Sequence, residues 1–517
     1  MPLPAPIAAL TEAAAYPHAC ANVELLETHI SWIFLTGEFA YKVKKPVALN
    51  FVDFSTLARR EHFCREELRC NRAFAPELYL DVVPINEVDG KFVVAGPGPI
   101  VEWAVKMVQF PTDKQLDRLL EAGHLERATM QAFGASLAAT HQSLPVSDAP
   151  LAVEQRVLKP VVDNFRTLRD TLGDGGYRPR LQALEERSLA AFGAQRGLFD
   201  ERAGWVRECH GDLHLSNLVL MPDGVRAFDC LEFNPDLRWI DVASDLAFLQ
   251  MDCSVRERAD LAFAVLDGYL NVLPDYGGVV LSPFYQAYRS VVRAKVAALQ
   301  LANADPADGG LIDTLQRRVT THLDWAEWRL GQAPGAIVLM CGLSGSGKSY
   351  VAERLVPELP AVRLRSDVLR KWRAGLGADS RSGSELDSGL YQAQVSQLVY
   401  EELADAALAI AVGGDSVIVD ATYLHRDQRQ AVLERARSAN VSCVVAYCDA
   451  PQDVLQARIT QRLQDPRAVS EAGLEVLARQ RQVLQLPQAE PVVAIDTTQE
   501  LDYAALGRRL REHLGNG

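Results

Sequence analysis

Gly342-Leu343-Ser344-Gly345-Ser346-Gly347-Lys348-Ser349 follows the apolar run Ile337–Met340 and opens a helical segment, and its reading decides the fold of everything around it. The glycines let successive backbone N–H groups close on the oxygens of an anion, and the helix start adds the positive end of its dipole. Lys348 brings a point charge to that anion, and Ser349 brings a hydroxyl suited to a divalent cation. A second stretch, His210-Gly211-Asp212-Leu213-His214-Leu215-Ser216-Asn217, handles phosphate by different means. Its carboxylate Asp212 takes or orients the proton of an attacking hydroxyl, and the amide oxygen of Asn217 reaches a cation across the same loop.

Outward from the glycine-rich loop, apolar runs recur at Ile337–Met340, Val362–Leu364, Val417–Val419, Cys443–Tyr447 and Val492–Ile495, with helical segments between them. That alternation predicts a parallel sheet covered by helices on both faces, an α/β arrangement. Leu330-Gly331-Gln332-Ala333-Pro334-Gly335 ends the helical pattern of Leu311–Arg329 and marks a seam. The expected organisation is a first domain over 1–330, a linker at 331–335 and a second domain over 336–517.

Before the seam, extended segments give way to helices, an α+β pattern. Trp32–Lys44 alternates as a hairpin turning near Thr36-Gly37-Glu38, Ala58–Phe74 reads as a helix, and Leu78–Ile85 and Lys91–Phe110 read as strands. Past Asn217, Leu218–Leu220 and Val225–Phe228 flank Pro222-Asp223-Gly224, a hairpin that returns Asp229 beside Asn217 as a second metal ligand. His210 is expected to orient the loop, and Asp241 and Asp245 to pin it rather than perform chemistry. Lys42 and Lys44 share one face of their strand. Lys42 is the candidate for the α/β-phosphates, while Lys44 and Lys45 read as an exposed basic strand edge. Glu61, Glu66 and Glu67 compete as its ion-pair partner, with Glu67 preferred; Met107–Phe110 is the expected adenine-binding hinge. Cys209 and Cys230 read as small buried fillers.

After the seam, Arg365-Ser366-Asp367 follows the second strand, where Asp367 is placed to activate an acceptor hydroxyl. Val417-Ile418-Val419-Asp420-Ala421-Thr422 ends a strand in Asp420 with no Glu after it, unlike many ATPase motors. Arg458 and Arg462, four apart near Pro466, sit on one helix face as a lid that clamps a transferring phosphate.

The His210–Asn217 loop, Asp229 and Asp241-Val242-Ala243-Ser244-Asp245-Leu246-Ala247 resemble the aminoglycoside phosphotransferase and choline-kinase branch of the protein-kinase-like fold. That resemblance implies a two-lobed domain moving the γ-phosphate of ATP to a small-molecule hydroxyl. The strand and glycine-rich loop, RSD and VIVDAT, in that order, resemble the P-loop kinase group containing polynucleotide kinases, gluconate kinases and zeta-type toxins. It implies that Asp367 accepts the proton, Asp420 supports the metal site and Arg458 or Arg462 serves the lid. The tandem order, with FLTGEFAYKVKKPV at 34–47, is similar to bacterial proteins described as bifunctional aminoglycoside phosphotransferase/ATP-binding proteins.

Bulk properties narrow the function. The 517 residues exceed one ordinary core. No apolar stretch is long enough for a membrane span, and Met1–Cys20 lacks the basic start of a secretory signal. Nine scattered cysteines without CxxC spacing suggest reduced thiols and a cytoplasmic setting. Net charge is −14, of which residues from Gly335 onward carry −3, and neither part shows a polycationic face. This argues against a general nucleic-acid binder. The favoured expectation is a bifunctional phosphotransferase using ATP and Mg2+ at two sites on small hydroxyl-bearing acceptors. The alternatives are a regulatory or toxin-like protein, in which one module senses nucleotide, and a kinase of 5′-hydroxyl nucleic-acid ends.

Overall fold

A computed structural model describes residues 3–49, 52–147, 152–173, 176–377, 393–464, 472–488 and 490–515; Pro466 lies outside them. The chain divides into two compact units. One comprises Met1–Leu125, Ser143–Ala152 and Glu201–Leu249, the other Glu126–Gln142, Val153–Asp200 and Gln250–Gly517.

The first unit is built on a six-stranded antiparallel sheet. Its strands are β1 (Glu24–Glu27), β2 (Ser31–Leu35), β3 (Phe39–Lys44), β4 (Tyr79–Val88), β5 (Lys91–Val94) and β6 (Ile100–Val108), in the order β1-β2-β3-β6-β4-β5. The stretch Lys91–Phe110 supplies two strands, because Gly96-Pro97-Gly98-Pro99 cannot continue a ladder. Period-two alternation decides what each face of β3 carries. Tyr41 and Val43 join Trp32, Phe34 and Ile85 in an apolar cluster, which turns Lys42 and Lys44 to the opposite face. There α1 (Leu57–Asn71) packs, capped by Thr56, whose hydroxyl accepts from Arg59 N at 3.3 Å. A second hairpin, β7 (Leu218–Met221) and β8 (Gly224–Ala227), pairs Leu218 with Ala227.

The second unit holds a five-stranded, all-parallel sheet of β9 (Ala336–Cys341), β10 (Ala361–Arg365), β11 (Ser416–Asp420), β12 (Ser442–Asp449) and β13 (Val492–Asp496). The order is β10-β11-β9-β12-β13, and each expected apolar run falls in one strand. Every residue of β9 is buried, as a central strand covered on both faces requires. The later helices of this unit are α9 (Lys348–Leu355), α10 (Ser366–Arg373), α11 (Ala393–Val412), α12 (Arg426–Ser438), α13 (Gln452–Leu463), α14 (Leu474–Val483) and α15 (Tyr503–His513).

Helices that precede the seam group with this sheet: α2 (Arg127–Ser143), α3 (Lys159–Leu172), α4 (Arg178–Ala194), α6 (Ala259–Val272), α7 (Tyr276–Ala302) and α8 (Gly309–Leu330). Helix α5 (Val242–Val255) links the units in sequence. Phe263 of α6 packs against the apolar cluster formed by β9, α9 and β12. Gly268 lets α6 approach α2 closely, since a Cβ there would stand 1.8 Å from Gln131 O. The fold is thus an antiparallel α+β assembly plus a parallel α/β sheet under helices, on one chain.

Candidate active sites

In the first unit, the loop His210–Asn217 is fixed by its own backbone amides. Asp245, at the start of α5, accepts from His210 N at 3.1 Å and from Gly211 N at 2.9 Å. Asp245 thus pins the loop, whereas Asp241 pairs with Arg202 at 2.6 Å and accepts from Ala243 N at 2.9 Å, holding the start of α5. His210 is fully buried, and burial pushes its imidazole below the ordinary histidine range, so it stays neutral. Its Nε2–H donates to Phe228 O at 2.9 Å while Nδ1 accepts from Asp212 N at 3.3 Å. That tautomer joins the catalytic loop to the end of hairpin β7–β8.

Asn217 Nδ2 donates to Asp212 O at 3.0 Å and Asp212 Oδ2 at 3.3 Å, which leaves the amide oxygen as its acceptor for a cation. His214 Nε2 also lies 3.3 Å from Asp212 Oδ2. Phe228 N donates to Asn217 O at 2.9 Å, so the hairpin brings Asp229 back beside Asn217. Asp229 has φ 64°, a left-handed backbone uncommon for a side-chain-bearing residue, and Tyr79 OH accepts from its N at 3.0 Å. Such strain is held where a side chain must be aimed.

Lys42 Nζ lies 2.5 Å from Asp229 Oδ1 and 2.8 Å from Glu67 Oε1. Burial opposes its charge, but Asp229 and then Glu67 and Glu232 outweigh that and hold Lys42 well above its ordinary range. The choice of Glu67 over Glu61 and Glu66 matches this geometry. The expectation for Lys44 needs correction. It is no exposed strand edge but 1% exposed, donating to Glu67 Oε2 at 2.6 Å and to Glu232. The same pleat that turns Lys42 inward turns Lys44 inward with it. Lys45 instead caps Glu27 at 2.6 Å near solvent.

Glu67 is fully buried; burial pushes its carboxyl up, yet Lys42 and Lys44 overcome that and hold it at about 2. Burial dominates at Glu232 and raises it, with Glu67 repelling it further. This cluster therefore gathers two ammonium groups against three carboxylates. The surplus negative charge favours a cation at Asp229 and Asn217. Asn71 joins α1 to the same turn: its Oδ1 accepts from Cys230 N at 2.9 Å, and its Nδ2 donates to Glu67 O at 2.8 Å. Sequence reading missed Glu232, Asn71, Tyr79 and His214. Only Glu232, three residues after Asp229, carried any signal. Cys209 and Cys230 are buried fillers, 0% and 1% exposed.

In the second unit, Gly342–Ser349 runs from β9 into α9 and lines a cleft of about 450 Å³. Gly345 has φ 81°, and a Cβ there would stand 2.8 Å from Leu455 O, so both conformation and space demand glycine. Leu343 O accepts from Lys348 Nζ at 2.7 Å, and Ser344 N donates to Gln480 Oε1 at 2.8 Å. Burial lowers the Lys348 ammonium, with Asp420 pulling the other way. Ser346 Oγ is buried with no hydrogen-bond partner. The cleft lining itself, Ser344, Gly345, Gly347 and Lys348 at the start of α9, fits phosphate oxygens. Ser349 Oγ donates to Asp420 Oδ1 at 3.0 Å, the hydroxyl–carboxylate pair that suits Mg2+.

Asp367, at the N-terminus of α10, lines the same cleft and pairs with Arg370 Nη1 at 3.2 Å. Arg458 and Arg462 line it from α13. Arg458 donates to Thr497 Oγ1 at 2.9 Å, Thr497 O at 2.7 Å and Gly345 O at 3.3 Å, and Arg462 donates to Ala472 O at 2.7 Å. Lys348, Ser349, Asp367, Asp420, Arg458 and Arg462 thus share one cleft. Arg363 and Arg365, which flank Asp420 from β10, were missed; their alternation just before Asp367 was the available signal.

Residues 337–487 match the family described as AAA domain. An uncharacterized protein of Mycobacterium tuberculosis is 28% identical over 467 residues, 89% of this chain and 90% of its own length. Among solved structures, a choline/ethanolamine kinase family protein from Mesorhizobium loti aligns over 63% of this chain and 99% of its own, at 14% identity and TM-score 0.38. A sugar kinase from a Janibacter species aligns over 36% and 96%, at 22% identity and TM-score 0.28. No helix among the described residues is long and apolar enough to cross a membrane.

Proposed function

We propose that this chain is a phosphotransferase with two ATP sites, each moving a γ-phosphate to the hydroxyl of a small molecule. The first catalytic module spans 1–330 and the second 336–517. The observation that carries the reading is the gathering, in one cleft, of a phosphate lysine, a hydroxyl–carboxylate pair and a separate acid–base carboxylate: Lys348, Ser349 with Asp420, and Asp367. The first module repeats that logic with Lys42, Asn217 with Asp229, and Asp212.

Little covalent chemistry falls to the protein in such a transfer, so positioning and charge placement carry the rate. Mg2+, when bound, neutralises the phosphate oxygens. Asp212 and Asp367 take the acceptor proton, Lys42 and Lys348 hold phosphate oxygens, and the loop amides of Gly345–Lys348 orient the chain of phosphates. Arg458 and Arg462 answer charge that develops on the transferred group. Nine free cysteines fit a reducing, cytoplasmic compartment.

A screen of hydroxylated metabolites for ADP release with Mg-ATP tests the reading. Asp212→Asn and Asp367→Asn should each remove a different set of accepted compounds, by about 100-fold or more in turnover. If both variants keep every transfer the wild type makes, the assignment of bases is wrong.

A further inference from the structure

Helix α6 lies well upstream of the glycine-rich loop in sequence, yet two of its side chains bond the arginines that flank Asp420 in the P-loop cleft. Asp267 and Asn271 are one turn apart and therefore share a face. On β10, Arg363 and Arg365 alternate onto one face of the sheet. The pairs meet in register. Arg363 Nε and Nη2 donate to the two oxygens of Asp267 at 2.8 and 2.9 Å, and Arg365 Nη1 donates to Asn271 Oδ1 at 2.7 Å. Gln131 of α2 steadies Asp267 with a 2.8 Å bond, and Tyr276 OH accepts from Arg365 N at 3.3 Å.

The opposite edges of both guanidinium groups face Asp420. Arg363 Nη1 lies 4.0 Å and Arg365 Nε 3.6 Å from Asp420 Oδ2, while Oδ1 takes the Ser349 hydroxyl. Arg363 also donates to Ser349 O at 3.4 Å. A guanidinium is planar and rigid, so anchoring one edge on α6 aims the other. Oδ1 thus takes the hydroxyl, while Oδ2 faces the two guanidinium groups at ion-pair rather than hydrogen-bond distance.

We propose that Asp267 and Asn271 are positioning residues of the P-loop site, acting through Arg363 and Arg365 to fix Asp420 for Mg2+; this rests on reading that site as a Mg-ATP centre. A buried pair such as Arg363–Asp267, with side chains 2% and 4% exposed, also holds α6 to the sheet, so Asp267 alone does not separate positioning from cohesion. Asn271 does separate them. It is neutral, so removing it loosens Arg365 without leaving a buried carboxylate unpaired, and Arg365 keeps Asp420 at 3.6 Å.

The test uses the full chain carrying Lys42→Ala, which silences the first nucleotide site, and titrates mant-ATP in Mg2+ and in EDTA. The readout is the ratio of the two affinities. Asn271→Ala should lower that ratio about tenfold, in the range for lost outer-sphere metal partners. Affinity in EDTA and the melting temperature should stay at the parental values. Asp267→Asn should lower the ratio at least as much, and Asp267→Glu should restore part of it. An unchanged ratio in both Asn271→Ala and Asp267→Asn overturns the proposal. So does a fall in EDTA affinity and melting temperature with the ratio unmoved, the mark of cohesion alone. Lys348→Ala in the same background must abolish the mant-ATP signal. If the signal persists, the reading of the P-loop site fails, and the proposal with it.

Discussion

Glu67 serves two lysines at once, and its position shows how a single residue sets the first site. It lies on the inward face of α1 opposite β3, where Lys42 and Lys44 project from the same pleat. Glu67→Gln leaves two buried ammonium groups short of a counter-charge, at a cost of about 3–5 kcal/mol by the usual penalty for breaking a buried pair. It also leaves Asp229 as the ion-pair partner that holds Lys42. ATP affinity at the first site, read in a Lys348→Ala chain, should fall by about tenfold, while thermal melting moves down. The pH dependence has a fixed sign. A carboxyl held at about 2 against an ordinary 4.5 stabilises the fold fully above pH 4.5 and loses that contribution as pH falls toward 2. Urea unfolding between pH 2.5 and 6 should therefore be steeper in pH for the wild type than for Glu67→Gln. Equal slopes remove Glu67 as the cause. The Lys42–Glu67 pair was legible because strand and helix periodicities each point one side chain inward. Lys44 and Glu232 were not: a basic run on a strand looks the same whether solvent or buried carboxylates face it, and only the return of the Asp229 turn supplies Glu232.

At the scale of elements, α13 closes on the glycine-rich loop through Arg458 rather than through apolar contact alone. The spacing of Arg458 and Arg462 was readable as one helix face, but the partner Arg458 takes depends on where β13 ends. Thr497, just past that strand, receives two of the three Arg458 bonds, and Gly345 O receives the third. Arg458 therefore ties the glycine-rich loop to the end of β13 while it lines the cleft. Arg458→Ala should lower turnover at the P-loop site by about 100-fold, comparable to removing a preorganised donor to developing charge. Arg458→Lys should rescue little, since one ammonium cannot span Thr497 Oγ1, Thr497 O and Gly345 O in the plane of a fork. Rescue to near wild-type turnover by lysine shows that only charge at this position matters. The strands of the parallel sheet were legible to within a few residues because fully buried strands are continuously apolar. The antiparallel region was harder to bound, since half-buried strands break at Gly and Pro where the pattern alone sees a longer run.

For the whole molecule, the seam at Leu330–Gly335 was visible in Gly and Pro, but the grouping of helices across it was not. Whether α6 belongs with the strands after the seam depends on Phe263 in the sheet's core and on Asp267 meeting Arg363, contacts between residues far apart in sequence that no local pattern encodes. What both readings share is a pair of buried lysines near carboxylates, one in each compact unit. Lys42 and Lys348 are each buried among groups that suit a Mg-nucleotide, and neither shares a partner with the other. Two nucleotide equivalents per chain follow. Calorimetric titration with a non-hydrolysable ATP analogue and Mg2+ should give a stoichiometry near two for the wild type, near one for Lys42→Ala and for Lys348→Ala, and none for the double variant. Ligand at about 100 times its dissociation constant stabilises the fold that binds it by about 2.7 kcal/mol. Each single variant should therefore keep part of the nucleotide-induced rise in melting temperature, and the double variant none. A wild-type stoichiometry of one, abolished by Lys348→Ala and untouched by Lys42→Ala, leaves the chain with a single nucleotide centre and strips the Lys42–Asp229 cluster of its catalytic reading.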